Sequence, residues 1–167
     1  MDWDEYFMLE AYTAASKSKD TRTQVGACVV GPDKEIRSKG YNGPCRGEDD
    51  NNLLIYEKPL KNYLMEHAER NAIYNLARVG ISGKGCTIYC TLYPCVECAR
   101  AIIQTGMLCV VVHDKFSKYE NLNHSQIAAL ELFGRLKISV RFWTGNPKII
   151  SIINDGIEHH FHKEITK

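Results

Sequence analysis

The chain of 167 residues lacks net charge: 21 Lys and Arg stand against 20 Asp and Glu, leaving +1. So small a field does not draw in a nucleic-acid backbone unless a local basic patch does. No such patch stands out in the sequence, so no nucleic-acid partner is expected. No apolar run approaches the length of a membrane span, which argues against a membrane partner. Linkers, internal repeats and low-complexity stretches are also missing, so a single domain over residues 1–167 is expected. Nor is there an even set of cysteines at loop corners. The seven present are an odd number, and Cys28, Cys86, Cys90 and Cys109 sit in apolar stretches, as buried small hydrophobes do. That usage suits a reducing compartment better than a disulfide framework. The opening Met1-Asp2-Trp3-Asp4-Glu5 is acidic where a leader would be basic, so a cytoplasmic location is expected.

The composition is otherwise ordinary, with 44% hydrophobic and 25% charged residues, enough for a continuous core. Residues 3 to about 18 space Tyr6, Phe7, Leu9, Tyr12 and Ala14 as an amphipathic helix does. Val25 to Val30 reads as a buried strand closed by Gly31-Pro32-Asp33, and Ile36 to Tyr41 as its hairpin partner. The Gly-, Pro- and Asx-rich segment from Asn42 to Asn52 predicts irregular backbone. Leu53 to Met65 reads as an insertion with a little helix, so residues 44–65 form a loop insertion overall. A helix follows from Glu66 to about Val79, stopped at Gly80. Then come a strand at 86–92, a helix from Cys95 to about Thr105, a continuous apolar strand at 109–113, a helix from about His124 to Phe133, and a strand at 137–143. From about residue 146 the apolar tail around Ile149, Ile150, Ile152 and Ile153 is expected to dock on the body or on a neighbouring subunit. This order predicts an α/β layered plan, with helices on both faces of a mostly parallel sheet and helix amino ends converging at one edge.

Chemistry concentrates in His67-Ala68-Glu69 and Pro94-Cys95-Val96-Glu97-Cys98. One imidazole and two thiolates are three zinc ligands, and a catalytic zinc keeps its fourth position for water. Cys95 and Cys98 lie in one first turn and project from one face, where the helix dipole favours thiolates. Glu69 stands beside the ligands as a carboxylate free to move protons. His-x-Glu followed by Pro-Cys-x-x-Cys is the arrangement of zinc-dependent nucleobase deaminases. Cys-x-x-Cys alone also suits a redox pair, whereas a structural zinc would want a fourth Cys or His at finger-like spacing, and none is present. Cys45, in a polar loop, is either a surface thiol or a further ligand. His113, His124, His159, His160 and His162 have no ligand spacing with the set.

Beyond that core, the chain resembles the deoxycytidylate (dCMP) deaminase family of the cytidine deaminase-like superfamily. The likeness runs through Ser16-Lys17-Ser18-Lys19-Asp20, Thr23-Gln24-Val25-Gly26-Ala27-Cys28, Gly40-Tyr41-Asn42-Gly43, His67 to Ile73, Pro94 to Ala99 and Asp114-Lys115. Gly40-Tyr41-Asn42-Gly43 and the continuation Asn71-Ala72-Ile73 point to this family within the superfamily. The resemblance implies a three-layer α/β/α sandwich with a mixed five-stranded sheet and conversion of dCMP to dUMP for thymidylate synthesis. It implies one catalytic Zn2+ on His67, Cys95 and Cys98, with Glu69 as proton shuttle. It further implies Asn42 on the deoxyribose, the Ala68 amide on the base edge, Arg22 on the phosphate and Tyr119 at the substrate mouth. Members form homohexamers activated by dCTP and inhibited by dTTP, with Mg2+ accompanying the regulatory nucleotide, and the loop from Gly40 to Asp50, including Tyr41 and Gly43, resembles the responding segment. The sequence departs from the pattern at Pro44-Cys45-Arg46-Gly47 and across 53–65. A tRNA adenosine deaminase shares the metal motif, but near-neutral charge and Gly-Tyr-Asn-Gly argue against it. A redox or regulatory nucleotide-binding protein on the same fold is the non-enzymatic alternative.

Overall fold

The computed structural model describes residues 1–49, 51–147 and 151–160. In chain order these give α1 (Trp3–Ala15), β1 (Gly26–Val30), β2 (Ile36–Tyr41), β3 (Gly43–Pro44), α2 (Lys61–Leu64), β4 (Met65–Glu66), α3 (Ala68–Val79), β5 (Thr87–Cys90) and α4 (Val96–Gln104). They continue as β6 (Cys109–His113), α5 (His124–Arg135), β7 (Ser139–Trp143), β8 (Ser151–Asn154) and β9 (Ile157–His160), with short 3-10 turns between. Asp50, Ile149, Ile150 and His162, which the sequence reading assigned to the loop, the tail and the unassigned histidines, lie outside the described residues.

Five strands form one sheet in the order β2-β1-β5-β6-β7. The expected mixed, mostly parallel sheet is present: β2, β5, β6 and β7 point the same way, and β1 runs antiparallel to both of its neighbours, β2 and β5. The cause is the β1–β2 hairpin. It reverses the chain, so the crossover through α3 joins β2 to β5 and steps over β1. Each later crossover moves in the same direction along the sheet, and right-handed connections then lay α3, α4 and α5 on one face.

Side-chain alternation along the strands builds a core on each face. Ala27, Val29, Ile88, Cys90, Val110 and Val112 pack with α3, α4 and α5. Cys28, Val30, Tyr89 and Val111 pack with Phe7, Met8, Ala11 and Tyr12 of α1. Helix α1 starts where the Asp2 carboxylate accepts from the Glu5 amide at 2.7 Å, and it stops at Ala15, short of the expected residue 18. Two glycines allow close packing. A Cβ at Gly26 would lie 1.9 Å from the Ala11 carbonyl oxygen, and one at Gly40 would lie 2.3 Å from both the Ala68 oxygen and the Ala72 nitrogen. Gly40 therefore seats the first turns of α3 on β2.

The 53–65 insertion holds a 3-10 turn at Leu53–Tyr56 and the short α2. Beyond the sequence reading, β3 and β4 pair across it, Gly43 with Glu66 and Pro44 with Met65. The tail docks on the body. Strands β8 and β9 form a hairpin, Ile152 is buried in the α1-side core, and Gln24 N donates to the Ile153 carbonyl at 2.7 Å.

Candidate active site

Since α3 and α4 both leave the carboxyl edge of the parallel strands on one face, their amino ends meet. His67 is the N-cap of α3 and Cys95 the N-cap of α4, and neither side chain makes a capping hydrogen bond. The helix expected from Glu66 begins at Ala68, because Glu66 pairs in β4 and His67 is extended. His67 Nδ1 lies 3.4 Å from Cys95 Sγ and 3.5 Å from Cys98 Sγ. A tetrahedral zinc with Zn–N of about 2.0 Å and Zn–S of about 2.3 Å has N···S edges of about 3.5 Å. The three side chains thus fit zinc in donor chemistry and in spacing. Among the described residues this trio is the cluster close enough to hold a metal ion, and Cys45, exposed in its loop, is not part of it.

Glu69 sits one helical residue beyond the ligands, 3% exposed, with its Oε2 accepting from the Cys98 thiol at 3.5 Å. Burial pushes its carboxyl above the usual carboxylate range, against the pull of His67. The interactions of Cys95 with Cys98 and His67 hold its thiol down at about 3, while Cys98 is pushed up by the neighbouring Cys95 and by burial. Arg70 grips Glu66 through two nitrogens, at 2.7 and 3.2 Å, and turns a third toward Cys98 Sγ at 3.9 Å.

A cavity of about 270 Å³ opens in front of these groups, lined by His67, Ala68, Glu69 and Cys95 on one side and by Asn42, Thr23 and Val25 on another. Asn42 and Ala68, expected at the substrate, both line this cavity. Arg22 and Tyr119 are not in the lining. The Arg22 backbone is tied to Asp20 Oδ1 and to Gly156 N while its side chain is exposed, and Tyr119 is 72% exposed in a 3-10 turn. The cation in the lining is instead Lys61, carried by α2 of the insertion. Sequence reasoning also missed Asn123, Ser125 and Gln126 on the third wall. These open α5, where Asn123 and Gln126 form a reciprocal capping box and Ser125 Oγ accepts from Val96 N at 3.1 Å, joining α5 to the start of α4. The pattern Asn-x-x-Gln at the head of an apolar helix was the available signal.

With that geometry in view, comparison with known proteins is decisive. A model of the cytidine and deoxycytidylate deaminase zinc-binding region matches residues 1–114. The chain belongs to the cytidine and deoxycytidylate deaminase family. It is 38% identical over 162 residues to the deoxycytidylate deaminase of Mus musculus, covering 93% of this chain and 86% of that one. Among solved structures, the dCMP deaminase of cyanophage S-TIM5 in complex with dCMP and dUMP superposes with a TM-score of 0.65 at 26% identity, covering 83% of this chain and 95% of the other. A structure from a study of tRNA:A34 deaminases shares the fold at a TM-score of 0.53 and 18% identity, covering 83% of this chain and 97% of the other. Membership explains the zinc-compatible trio, and the mixed five-stranded α/β architecture is the family's. Among the described residues no helix is long and apolar enough to cross a membrane.

Proposed function

We propose that this chain is a zinc-dependent dCMP deaminase, releasing dUMP and ammonia and supplying dUMP for thymidylate synthesis. One observation carries the reading: a His67, Cys95 and Cys98 triangle of zinc dimensions, with buried Glu69 beside it, opens onto a nucleotide-sized cavity. His67 Nδ1 and the sulfurs of Cys95 and Cys98 would hold the zinc, which when bound would supply a water acidic enough to attack at neutral pH. Glu69 takes one proton of the attacking water and delivers it to the ring nitrogen next to the attacked carbon, then takes the second from the hydroxyl now on that carbon and gives it to the departing amine, so that ammonia leaves as the carbonyl forms. Its raised proton affinity suits a group that must hold a proton between those transfers. The Ala68 amide, in the first turn of α3, has no partner within the helix and is free for the base edge. Asn42 meets the deoxyribose.

Regulation belongs to a second cavity of about 420 Å³, lined by Lys17, Lys19, Arg46 and Arg78 together with Tyr41, Tyr56 and Tyr74. Cations for phosphates and aromatic rings for a base support a nucleoside triphosphate there, dCTP as activator and dTTP as inhibitor with Mg2+ on the phosphates, and both Tyr41 and Gly43 line it. Glu66 lines both cavities and grips Arg70, a short link between them. Residues 1–167 act as a single catalytic domain in a cytoplasmic homohexamer.

The test is ammonia release from dCMP, dCTP, cytidine, deoxycytidine and tRNA, each with and without dCTP and dTTP as effectors. Turnover of dCMP above the others is expected. No dCMP turnover alongside activity on another substrate would overturn the substrate reading, and hyperbolic kinetics indifferent to both triphosphates would overturn the regulation.

A further inference from the structure

Asp20 is 2% exposed and lies at the cavity wall, and its carboxylate is a hub. Oδ1 accepts from Arg22 N at 2.8 Å and Thr23 N at 3.1 Å. Oδ2 accepts from Asn42 Nδ2 at 3.1 Å, and Lys61 Nζ reaches the two oxygens at 2.7 and 2.6 Å. The other amide hydrogen of Asn42 goes to the Thr23 carbonyl at 2.8 Å, and its Oδ1 accepts from Val25 N at 2.7 Å. Both donor hydrogens of the Asn42 amide are therefore spent inside the protein. What the side chain can still offer a ligand is the second lone pair of Oδ1.

That polarity has one cause. Turned over, the Asn42 amide would set its oxygen against the Asp20 carboxylate and the Thr23 carbonyl, and its NH2 against the Val25 N–H, so every partner would be mismatched. Unpaired buried groups of this kind carry a heavy penalty. We propose that Asp20 is a positioning residue that fixes Asn42 as a hydrogen-bond acceptor for a sugar hydroxyl, and that Lys61, brought in by the insertion, holds the Asp20 carboxylate in place. The inference rests on the dCMP reading and deepens it. In dCMP the 2′ position carries hydrogen and the 5′ oxygen is esterified, so the sugar's remaining donor is the 3′-hydroxyl. Asp20 thus acts on substrate choice through Asn42, without touching substrate itself.

The experiment compares kcat/KM for dCMP and for 2′,3′-dideoxycytidine monophosphate, in wild type, Asp20→Asn and Lys61→Met. Asp20→Asn keeps shape but puts an NH2 where Asn42 and Lys61 both donate. Wild type is expected to prefer dCMP by about tenfold or more, the worth of one good hydrogen bond. In Asp20→Asn the preference should fall to threefold or less, with zinc content unchanged. Lys61→Met should lower it in the same direction, and it supplies the same readout should Asp20→Asn fail to fold. A purely structural role would slow both substrates equally, so a preference unchanged in the folded variants overturns the proposal while leaving dCMP deamination intact. Wild type inert toward dCMP would instead overturn the substrate reading on which the proposal stands.

Discussion

Gly40→Ala tests whether the sheet positions the chemistry. The added Cβ would meet the Ala68 oxygen and the Ala72 nitrogen at 2.3 Å, where ordinary contact begins at 3.4 Å. Both atoms are helix backbone and cannot swing aside, so α3 must move away from β2 by about 1 Å, its overpacking costing about 1–3 kcal/mol. That turn carries His67 as cap and Glu69 one residue beyond Ala68. A misplacement of about 1 Å can lower a rate by about 10²-fold. The Tm should fall by roughly 3–10 °C, and kcat should drop by about two orders of magnitude even well below the new Tm. Gly134→Ala is the control, since a Cβ there meets nothing within 4 Å and the residue lies inside α5. It should stabilise the protein by about 0.5–1 kcal/mol with kcat unchanged. Thermal melts and steady-state kinetics on both variants decide the matter. A Gly40→Ala protein with kcat within twofold of wild type and an unchanged Tm would refute the packing argument.

Other consequences are as direct. Glu69→Gln should keep stoichiometric zinc by metal analysis yet lose at least about 10³-fold in kcat, because the proton carrier is removed and the ligands are not. His113, buried with Tyr12 OH donating to its Nδ1 and its Nε2 at 3.1 Å from the Gly145 carbonyl, is pushed by desolvation from 6.5 down to about 4, with Asp114 and Lys115 pulling in opposite directions. Its neutral form is favoured by folding, so the unfolded chain binds the extra proton. The stability it contributes is complete above about 6.5 and is lost as pH falls toward 4, about 3 kcal/mol in all. Urea unfolding at pH 7 and pH 4 should show the gap between wild type and His113→Gln narrowing by that amount, and a gap independent of pH would contradict the assignment. Asp2→Ala removes the α1 cap and should lower stability by about 1 kcal/mol without altering KM.

The metal trio was legible because each half opens a helix, and both helices carry local boundary signals: Gly80 ends one, and Pro94 precedes the start of the other. Their convergence was legible too, since right-handed crossovers leave few alternatives. The hairpin made β1 antiparallel to β2 legible, but the place of β1 between β2 and β5 was not. Periodicity reports which face of a strand is buried and says nothing of which strands flank it. The cavity's remaining walls were hidden for a different reason. Asp20, Lys61 and Ser125 act through partners far away in sequence, Lys61 with Asp20 at a separation of 41 and Ser125 with Val96 at 29, and no local pattern marks them. Arg22 and Tyr119 show the converse. Chain position suggested the substrate, but the backbone ties around Arg22 and the exposed turn at Tyr119 leave both outside the cavity lining.

The bare helix starts at His67 and Cys95 have a mechanical consequence. Helix α5 closes its own amino end with Asn123, whereas the cap residues of α3 and α4 are candidate zinc ligands and make no side-chain cap bond. A zinc ion there would act as a cross-link, fastening two helix ends whose ligands lie 28 and 31 residues apart in the chain, much as a disulfide closes a loop. The same three bonds that prepare a water for attack would then also tie together two of the helices that line the cavity. Loss of the ion would therefore slacken the substrate pocket as well as silence it.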